Sequence, residues 1–155
     1  MKLSKNDDIK LNIDSLTSEG SGIGRFDGFA VFVRGVVPGD EVVAHIIKCS
    51  KNYAIGVVKD IIKPSEFRIE SDCPVSSKCG GCSFRNVSYD EELRYKKGRV
   101  QDALERIGKL DIEVEEIIGA DKCSHYRNKA QYPVSICDGE LFAGFYAYKS
   151  HRIIC

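Results

Sequence analysis

"EGSGIGRFDGFAVFVRGVVPGD", residues 19–40, joins a glycine-rich stretch to a run of Val and Phe, and it decides the fold of the first part of the chain. Residues 29–34 predict a strand and residues 35–40 a turn. The glycines of 19–28 predict a tight β-turn region, because glycine adopts positive φ at little cost. A dinucleotide-binding loop is disfavoured, since that fingerprint needs G-x-G-x-x-G at the start of a helix.

The flanking segments continue the β pattern on both sides. "IKLNIDSL" (9–16), "EVVAHIIKC" (41–49) and "YAIGVVKDII" (53–62) are short runs rich in Val and Ile. Strands at roughly ten-residue spacing are typical of a small barrel. The sequence therefore predicts an OB-like β-barrel over residues 1–63, followed by a linker that begins at Pro64.

The remainder, residues 64–155, has a mixed pattern, so the predicted fold class is mainly β with an α+β second part. Residues 88–108 predict a helix with Ser88 and Glu91 as a capping box and Gly108 as its C-cap. Four apolar residues fall on one face of this helix: Leu93, Val100, Leu104 and Ile107.

Two predicted strands after the helix surround a strong turn motif. Residues 112–118 predict a single strand, and residues 126–137 and 140–149 predict the two arms of a hairpin. Asp138-Gly139 between the arms is a strong short hairpin motif.

Composition excludes several classes of protein. The chain has 155 residues, 43% hydrophobic and 30% charged, with 23 basic and 23 acidic residues. Zero net charge provides no global field for nucleic acid, so any such role depends on local surfaces, and no DNA partner is expected. No apolar run is long enough for a membrane span, and the polar start lacks a secretory signal, so we expect a cytoplasmic protein without a membrane partner.

Three of the seven cysteines form a C-x5-C-x2-C cluster at Cys73, Cys79 and Cys82. Cytosolic thiols stay reduced, so clustered cysteines there indicate metal binding or redox chemistry. Gly80 and Gly81 allow a tight curl in which backbone amides face thiolate or sulfide.

The spacing leaves three kinds of site open. An iron–sulfur cluster fits three near cysteines and one distant cysteine, whereas structural zinc usually takes two close pairs. A thiol-redox pair at Cys79 and Cys82 is the third alternative. The fourth ligand is undecided among the other cysteines: Cys49, Cys123, Cys137 and Cys155.

A two-residue turn at Asp138-Gly139 fixes the register of the predicted hairpin. Extending that register pairs Gln131 with Tyr146 and Lys129 with Tyr148, and cross-strand partners share a face. Cations beside aromatic rings suit single-stranded RNA. The candidate RNA-binding residues on this face are Arg127, Lys129, Gln131, Tyr146 and Tyr148. The alternative is that the tyrosines pack under the helix and solvent surrounds the cations.

The barrel offers a second set of candidates for RNA contact. Arg25, Phe26 and Phe29 lie in or beside the glycine-rich region, and Lys51 and Tyr53 lie near the next loop. OB-like barrels bind oligonucleotides through such surfaces. The alternative is that the aromatic rings belong to the core.

Taken in order, "EGSGIGRFDGFAVFVRGVVPGD", C-x5-CGGC, "YRNKAQYPV" and "GFYAYKSHRII" resemble the bacterial RNA (uracil-5-)-methyltransferases of the 23S rRNA type. The resemblance spans nearly the whole chain. It implies a TRAM barrel, then an iron–sulfur domain, then an S-adenosylmethionine-binding catalytic domain. It also implies 23S rRNA as the partner.

The resemblance places a [4Fe–4S] cluster on Cys73, Cys79 and Cys82. Its fourth ligand is Cys155 or a residue just beyond, so we expect a labile or empty cluster in this chain. The family's nucleophilic cysteine and cofactor site lie downstream, so the chain is expected to be a truncated, inactive piece of the enzyme. A zinc-bearing RNA-binding module without enzymatic activity is the alternative.

Overall fold

Six strands, one α-helix and a hairpin make up the part of the chain, residues 3–154, that the computed structural model describes. The barrel strands are β1 (Asp8–Asn12), β2 (Ser15–Leu16), β3 (Gly22–Phe26), β4 (Phe29–Arg34), β5 (Glu41–Cys49) and β6 (Tyr53–Lys63). The later elements are α1 (Tyr89–Asp102), a π-helical turn (Ala103–Ile107), β7 (Val134–Cys137) and β8 (Glu140–Ala143).

The six barrel strands pair in the order β1-β5-β6-β4-β3-β2, with β4 and β6 parallel and the other pairs antiparallel. The sheet curls so that the end of β1 meets β3. The amide of Asp14 donates to the carbonyl of Ile23 at 2.8 Å. A Cβ on Gly24 would lie 2.3 Å from the carbonyl oxygen of Asn12, so only glycine fits this approach.

Alternating apolar residues of the strands fill the barrel. Val31 and Val33 of β4 and Val42, Ala44 and Ile46 of β5 have no exposed surface. Their alternation with half-exposed neighbours shows that one face of each strand packs inward. Removal of these side chains from water is the main stabilising contribution to the barrel.

The glycine-rich segment corrects one expectation. Residues 19–28, predicted as a turn region, contain strand β3, which pairs with β4 along its whole length. Gly22 and Gly24 take the inward positions of β3, where a larger side chain would strike Val36 or Leu11. Gly22 and Gly24 thus permit close packing, whereas Gly20 and Gly28 take the positive φ of the predicted turns, at 76° and 80°.

Asp40 and the linker hold the barrel to the second part. The Asp40 carboxylate, fully buried, accepts hydrogen bonds from the backbone amides of Val37 at 2.6 Å and Ser65 at 2.9 Å. Arg68 donates to both carboxylate oxygens, at 3.1 and 2.5 Å. The buried charge of Asp40 is therefore paired, and both of its carboxylate oxygens accept hydrogen bonds.

A small apolar cluster lies beside that ion pair. Leu16 and Val37 from the barrel side meet Val87, with Phe84 and Tyr95 packed against them. The Phe84 and Tyr95 ring centroids are 5.7 Å apart. Burial raises the pKa of Tyr95 above its ordinary value, consistent with a ring packed into this junction.

The start of α1 differs from the predicted capping box. Ser88 occupies the N-cap position without a side-chain cap, and its backbone amide donates to the carbonyl of Phe67 at 2.8 Å. That amide is therefore not available to Glu91, which pairs instead with Arg94 at 2.5 and 2.8 Å. The capping-box prediction is wrong because a tertiary contact takes the Ser88 amide and a local ion pair within the helix takes the Glu91 carboxylate.

The end of the helix is also different from the expectation. Val100 is 52% and Ile107 is 83% exposed, whereas Leu93 and Leu104 are half-buried, so the predicted apolar face is only partly covered within the described residues. Gly108 is right-handed, and Lys109 takes the left-handed conformation at φ 54°. Residues 112–118 form no strand, because the Gln101 side chain and Lys97 bind their backbone groups.

The hairpin turn is confirmed, but its arms are short. Cys137 pairs with Glu140, and Asp138 and Gly139 have φ of 53° and 84°. The ladder ends at Pro133, whose carbonyl accepts from Gly144 at 3.2 Å and whose nitrogen has no hydrogen to donate. The second part thus has one α-helix and one short hairpin among the described residues, and the α+β class for it remains a prediction.

None of the helices described between residues 3 and 154 combines the length and the apolar character needed to cross a membrane.

Candidate nucleic-acid interface

The outer face of β4 carries an aromatic ring and a cation. Since Val31 and Val33 point into the barrel, Phe32 and Arg34 point outward. Tyr53 of the neighbouring β6 packs edge-to-face on Phe32, with ring centroids 5.6 Å apart. Both rings remain partly open to solvent, which leaves them accessible to a stacking partner.

Arg34 connects this barrel face to the second part. Its guanidinium lies 3.7 Å from the centre of the Tyr148 ring and donates to the carbonyl of Cys79 at 2.9 Å. The Lys149 ammonium lies 5.3 Å from the same ring centre. We call Phe32, Arg34, Tyr53 and Tyr148 the aromatic row. It combines flat rings with a cation, which suits stacked bases and phosphates.

The cysteine loop packs directly on the segment that holds Tyr148. The amide of Gly80 donates to the carbonyl of Tyr146 at 2.9 Å, and Cys79 forms a β-bridge with Ala147. A Cβ on Gly80 would lie 2.9 Å from that carbonyl oxygen. The glycine therefore permits the loop to approach this closely.

The thiols match a metal or cluster site in chemistry. Gly81 donates its amide to the sulfur of Cys79 at 3.3 Å, the kind of contact that stabilises thiolate charge. Cys73, Cys79 and Cys82 are all free thiols. In the described range of residues, however, no group of three or more His, Cys, Asp or Glu side chains is gathered closely enough to hold a metal ion.

The last described residues lie beside the same segment. Tyr146 bridges to Ile153, and the amide of Ile154 donates to the carbonyl of Phe145 at 2.9 Å. Phe145 in turn lies against Gly81 of the cysteine loop. Cys155, the candidate fourth ligand, falls outside the described residues.

The predicted RNA-binding residues are only partly brought together. Tyr146 and Tyr148 are 43% and 37% exposed. The predicted pairing of Gln131 with Tyr146 is not formed, because the ladder starts only at Val134 with Ala143, and Tyr146 bridges to Ile153. Lys129 and Tyr148 likewise share no ladder, since β7 begins only at Val134 after Pro133. The remaining candidate, Arg127, is exposed in the same irregular segment.

Sequence reasoning missed two residues of the aromatic row, Phe32 and Arg34. The signal was present in "FAVFVR", where alternation directs a phenylalanine and an arginine outward from the barrel. Of the barrel candidates that were named, Phe26 and Phe29 pack against the core, whereas Arg25 is exposed. Tyr53 belongs to the row.

Comparison with known proteins identifies the barrel and finds relatives for the whole chain. Residues 6–59 match the TRAM domain family. Over 152 residues, 98% of this chain, the sequence is 46% identical to an RNA methyltransferase of Listeria monocytogenes. It is 45% identical over 153 residues to an RNA methyltransferase of Halalkalibacterium halodurans. Residues 6–59 are thus a TRAM domain, and the chain aligns over nearly its whole length with proteins named RNA methyltransferases.

The chain spans about a third of the length of its curated relatives, 34% and 33% of the two proteins named above. Among solved structures, it is similar to the Pyrococcus abyssi tRNA (uracil-54, C5)-methyltransferase. That similarity has 23% identity and a TM-score of 0.41, over 67% of this chain and 22% of the other. The TRAM match and the curated relatives support the expected resemblance to RNA methyltransferases with a TRAM domain, and the 23S rRNA target stays a prediction.

Proposed function

We propose that the chain is the RNA-recognition and iron–sulfur portion of an S-adenosylmethionine-dependent RNA (uracil-C5) methyltransferase that acts on 23S rRNA in the cytoplasm. One observation carries the proposal. Arg34 of the TRAM barrel contacts both Tyr148 and the carbonyl of Cys79, which makes the barrel face and the cysteine loop one surface.

The chemistry of that surface favours single-stranded or looped RNA. Base stacking on aromatic side chains contributes about 1–3 kcal/mol per base and tolerates any sequence. Tyr53 and Tyr148 keep part of their ring surface open, although Arg34 covers one face of Tyr148, and Arg34 and Lys149 supply cations for the backbone. Zero net charge limits nonspecific attraction, so binding depends on this local patch.

For the cysteines we propose a [4Fe–4S] cluster on Cys73, Cys79 and Cys82, with Cys155 or a residue just beyond it as the fourth ligand. Cys73 and Cys82 enter this set by their spacing, and two contacts support Cys79 and the C-terminal position. Gly81 donates to the Cys79 sulfur, and Ile154, which precedes Cys155, lies beside Phe145, which packs on Gly81. A bound cluster would fix the loop that positions Tyr146 and Tyr148, so its role is architectural.

Methyl transfer is assigned to the rest of the enzyme. In this proposal, the cofactor site and the attacking cysteine lie in the two thirds of the relatives that this chain does not span. Enzymes that modify a base generally take it out of its stack. The aromatic row would hold the flanking nucleotides while the target uridine is presented, and the isolated chain would not methylate RNA.

Replacing Tyr148 with alanine tests the RNA-binding surface. We expect affinity for a single-stranded RNA oligonucleotide, measured by fluorescence anisotropy, to fall about 5- to 150-fold, the equivalent of one lost stacking interaction. Tyr148→Phe retains the ring and should stay within about twofold of wild type. Tyr146→Ala should also weaken binding.

The outcome that contradicts this proposal is equally specific. Unchanged affinity in Tyr148→Ala and Tyr146→Ala, with unchanged circular dichroism, would remove both tyrosines from the interface. A wild-type chain without measurable affinity for RNA would contradict the proposed function as a whole.

A further inference from the structure

A cleft of ≈ 500 Å³ opens between the cysteine loop, the hairpin and the C-terminal segment. Lys78 of the cysteine loop, Ser135 of β7, and His151 and Arg152 of the C-terminal segment supply its polar lining. Cys137 and four apolar side chains complete the lining: Ile136, Phe142, Ile153 and Ile154. A site with cations and an apolar wall suits a ligand that has both an anionic and a flat apolar part.

The charged side chains that line this cleft are all basic, although the chain as a whole has zero net charge. Lys78 and Arg152 line the cleft, and no Asp or Glu does. Two other clefts on the described residues differ in this respect, because carboxylates such as Glu105 and Glu41 line them beside their cations. The potential in this cleft therefore favours an anion.

The cleft also adjoins the tyrosines of the candidate interface. The His151 ring lies edge-to-face with the Tyr146 ring, with centroids 5.7 Å apart. The carbonyl of Arg152 accepts from the amide of Ala147 at 2.7 Å, next to Tyr148 in the chain. An RNA strand that stacks on these tyrosines would pass the mouth of the cleft.

We propose that this cleft binds one nucleotide of the RNA strand, with its phosphate between Lys78 and Arg152 and its nucleoside against the apolar wall. The inference rests on the proposed RNA-binding function and adds to it a phosphate-binding subsite. Arginine and lysine are the side chains that most often bind phosphate groups, and each contact releases counterions from the RNA.

Salt dependence of RNA binding tests the subsite. The double variant Lys78→Ala/Arg152→Ala should bind a single-stranded RNA oligonucleotide about tenfold more weakly, and the slope of log affinity against log salt should fall by about 1. The control Lys63→Ala/Lys122→Ala removes the same charge from exposed positions outside the cleft. It should keep the wild-type slope.

A second measurement uses a small ligand and does not depend on RNA affinity. Titration of the isotope-labelled chain with uridine 5′-monophosphate should shift the amide resonances of Ser135 and Arg152, and uridine alone should shift them far less. Inorganic phosphate at the same concentration distinguishes a nucleotide site from a general anion site. The Lys78→Ala/Arg152→Ala variant should show no such shift at the amide of Ser135.

The two measurements separate the possible failures. If wild-type chain binds RNA but the double variant keeps the affinity and slope of its control, the cleft is not the subsite. Absent or equal shifts with nucleotide, nucleoside and phosphate also overturn the inference. If the wild-type chain does not bind RNA, the proposed function fails, and the nucleotide titration alone decides whether the cleft binds a phosphate.

Discussion

Replacement of Asp40 by alanine should lower the free energy of unfolding by about 3–5 kcal/mol, the cost of breaking a buried ion pair by removing one partner. The variant leaves the Arg68 charge without its carboxylate, and it leaves the amides of Val37 and Ser65 without their acceptor. Unpaired donors that remain buried retain their desolvation cost. Urea unfolding followed by far-ultraviolet circular dichroism measures the change, since the chain has no tryptophan.

The exposed ion pair of Arg85 and Asp72 provides the matched control. Asp72 is 82% exposed at its side chain, so Asp72→Ala should change stability by less than about 1 kcal/mol. If Asp40→Ala were as mild as Asp72→Ala, the junction between the barrel and the linker would not depend on the buried carboxylate.

Loss of bound iron is the expected result of Cys79→Ser or Cys82→Ser. The wild-type chain, purified or reconstituted anaerobically, should contain about four iron ions and four acid-labile sulfide ions per cluster. Either substitution should reduce both to background, because a serine hydroxyl is a poor substitute for a thiolate ligand. Elemental analysis and the visible absorption of the cluster report the change.

Exposed cysteines elsewhere provide the control for this experiment. Cys49→Ser and Cys123→Ser should retain the iron of the wild-type chain. One zinc per chain without sulfide would favour the zinc-bearing alternative instead. A metal-free chain that forms a reversible Cys79–Cys82 disulfide would favour the thiol-redox alternative.

The barrel was largely predictable because its strands have strong local patterns. Residues 29–34 and 41–49 match β4 and β5 in extent, and β6 extends the prediction by one residue. Strand β3 was missed because its glycines conform to a turn pattern in sequence. These glycines are required by a tertiary contact, the close approach of β1 at Gly24, which no local sequence pattern indicates.

The second part was less predictable for the same physical reason. Pro133 ends the ladder that a simple alternation continues to Arg127, so the tyrosines acquire different neighbours. Tyr146 and Tyr148 were identified as candidates, but Arg34, which lies 114 positions before Tyr148, joins them only through the fold. Contacts of such long range depend on packing rather than on local pattern.

Amide hydrogen exchange, measured with and without RNA, tests whether the barrel face and the cysteine loop form one RNA-binding surface. We expect a bound single-stranded RNA to slow amide exchange both in β4, around Phe32 and Arg34, and in residues 145–152. Slowed exchange in only one of these regions, with the other unchanged at saturating RNA, would show that the two regions do not form one RNA-binding surface.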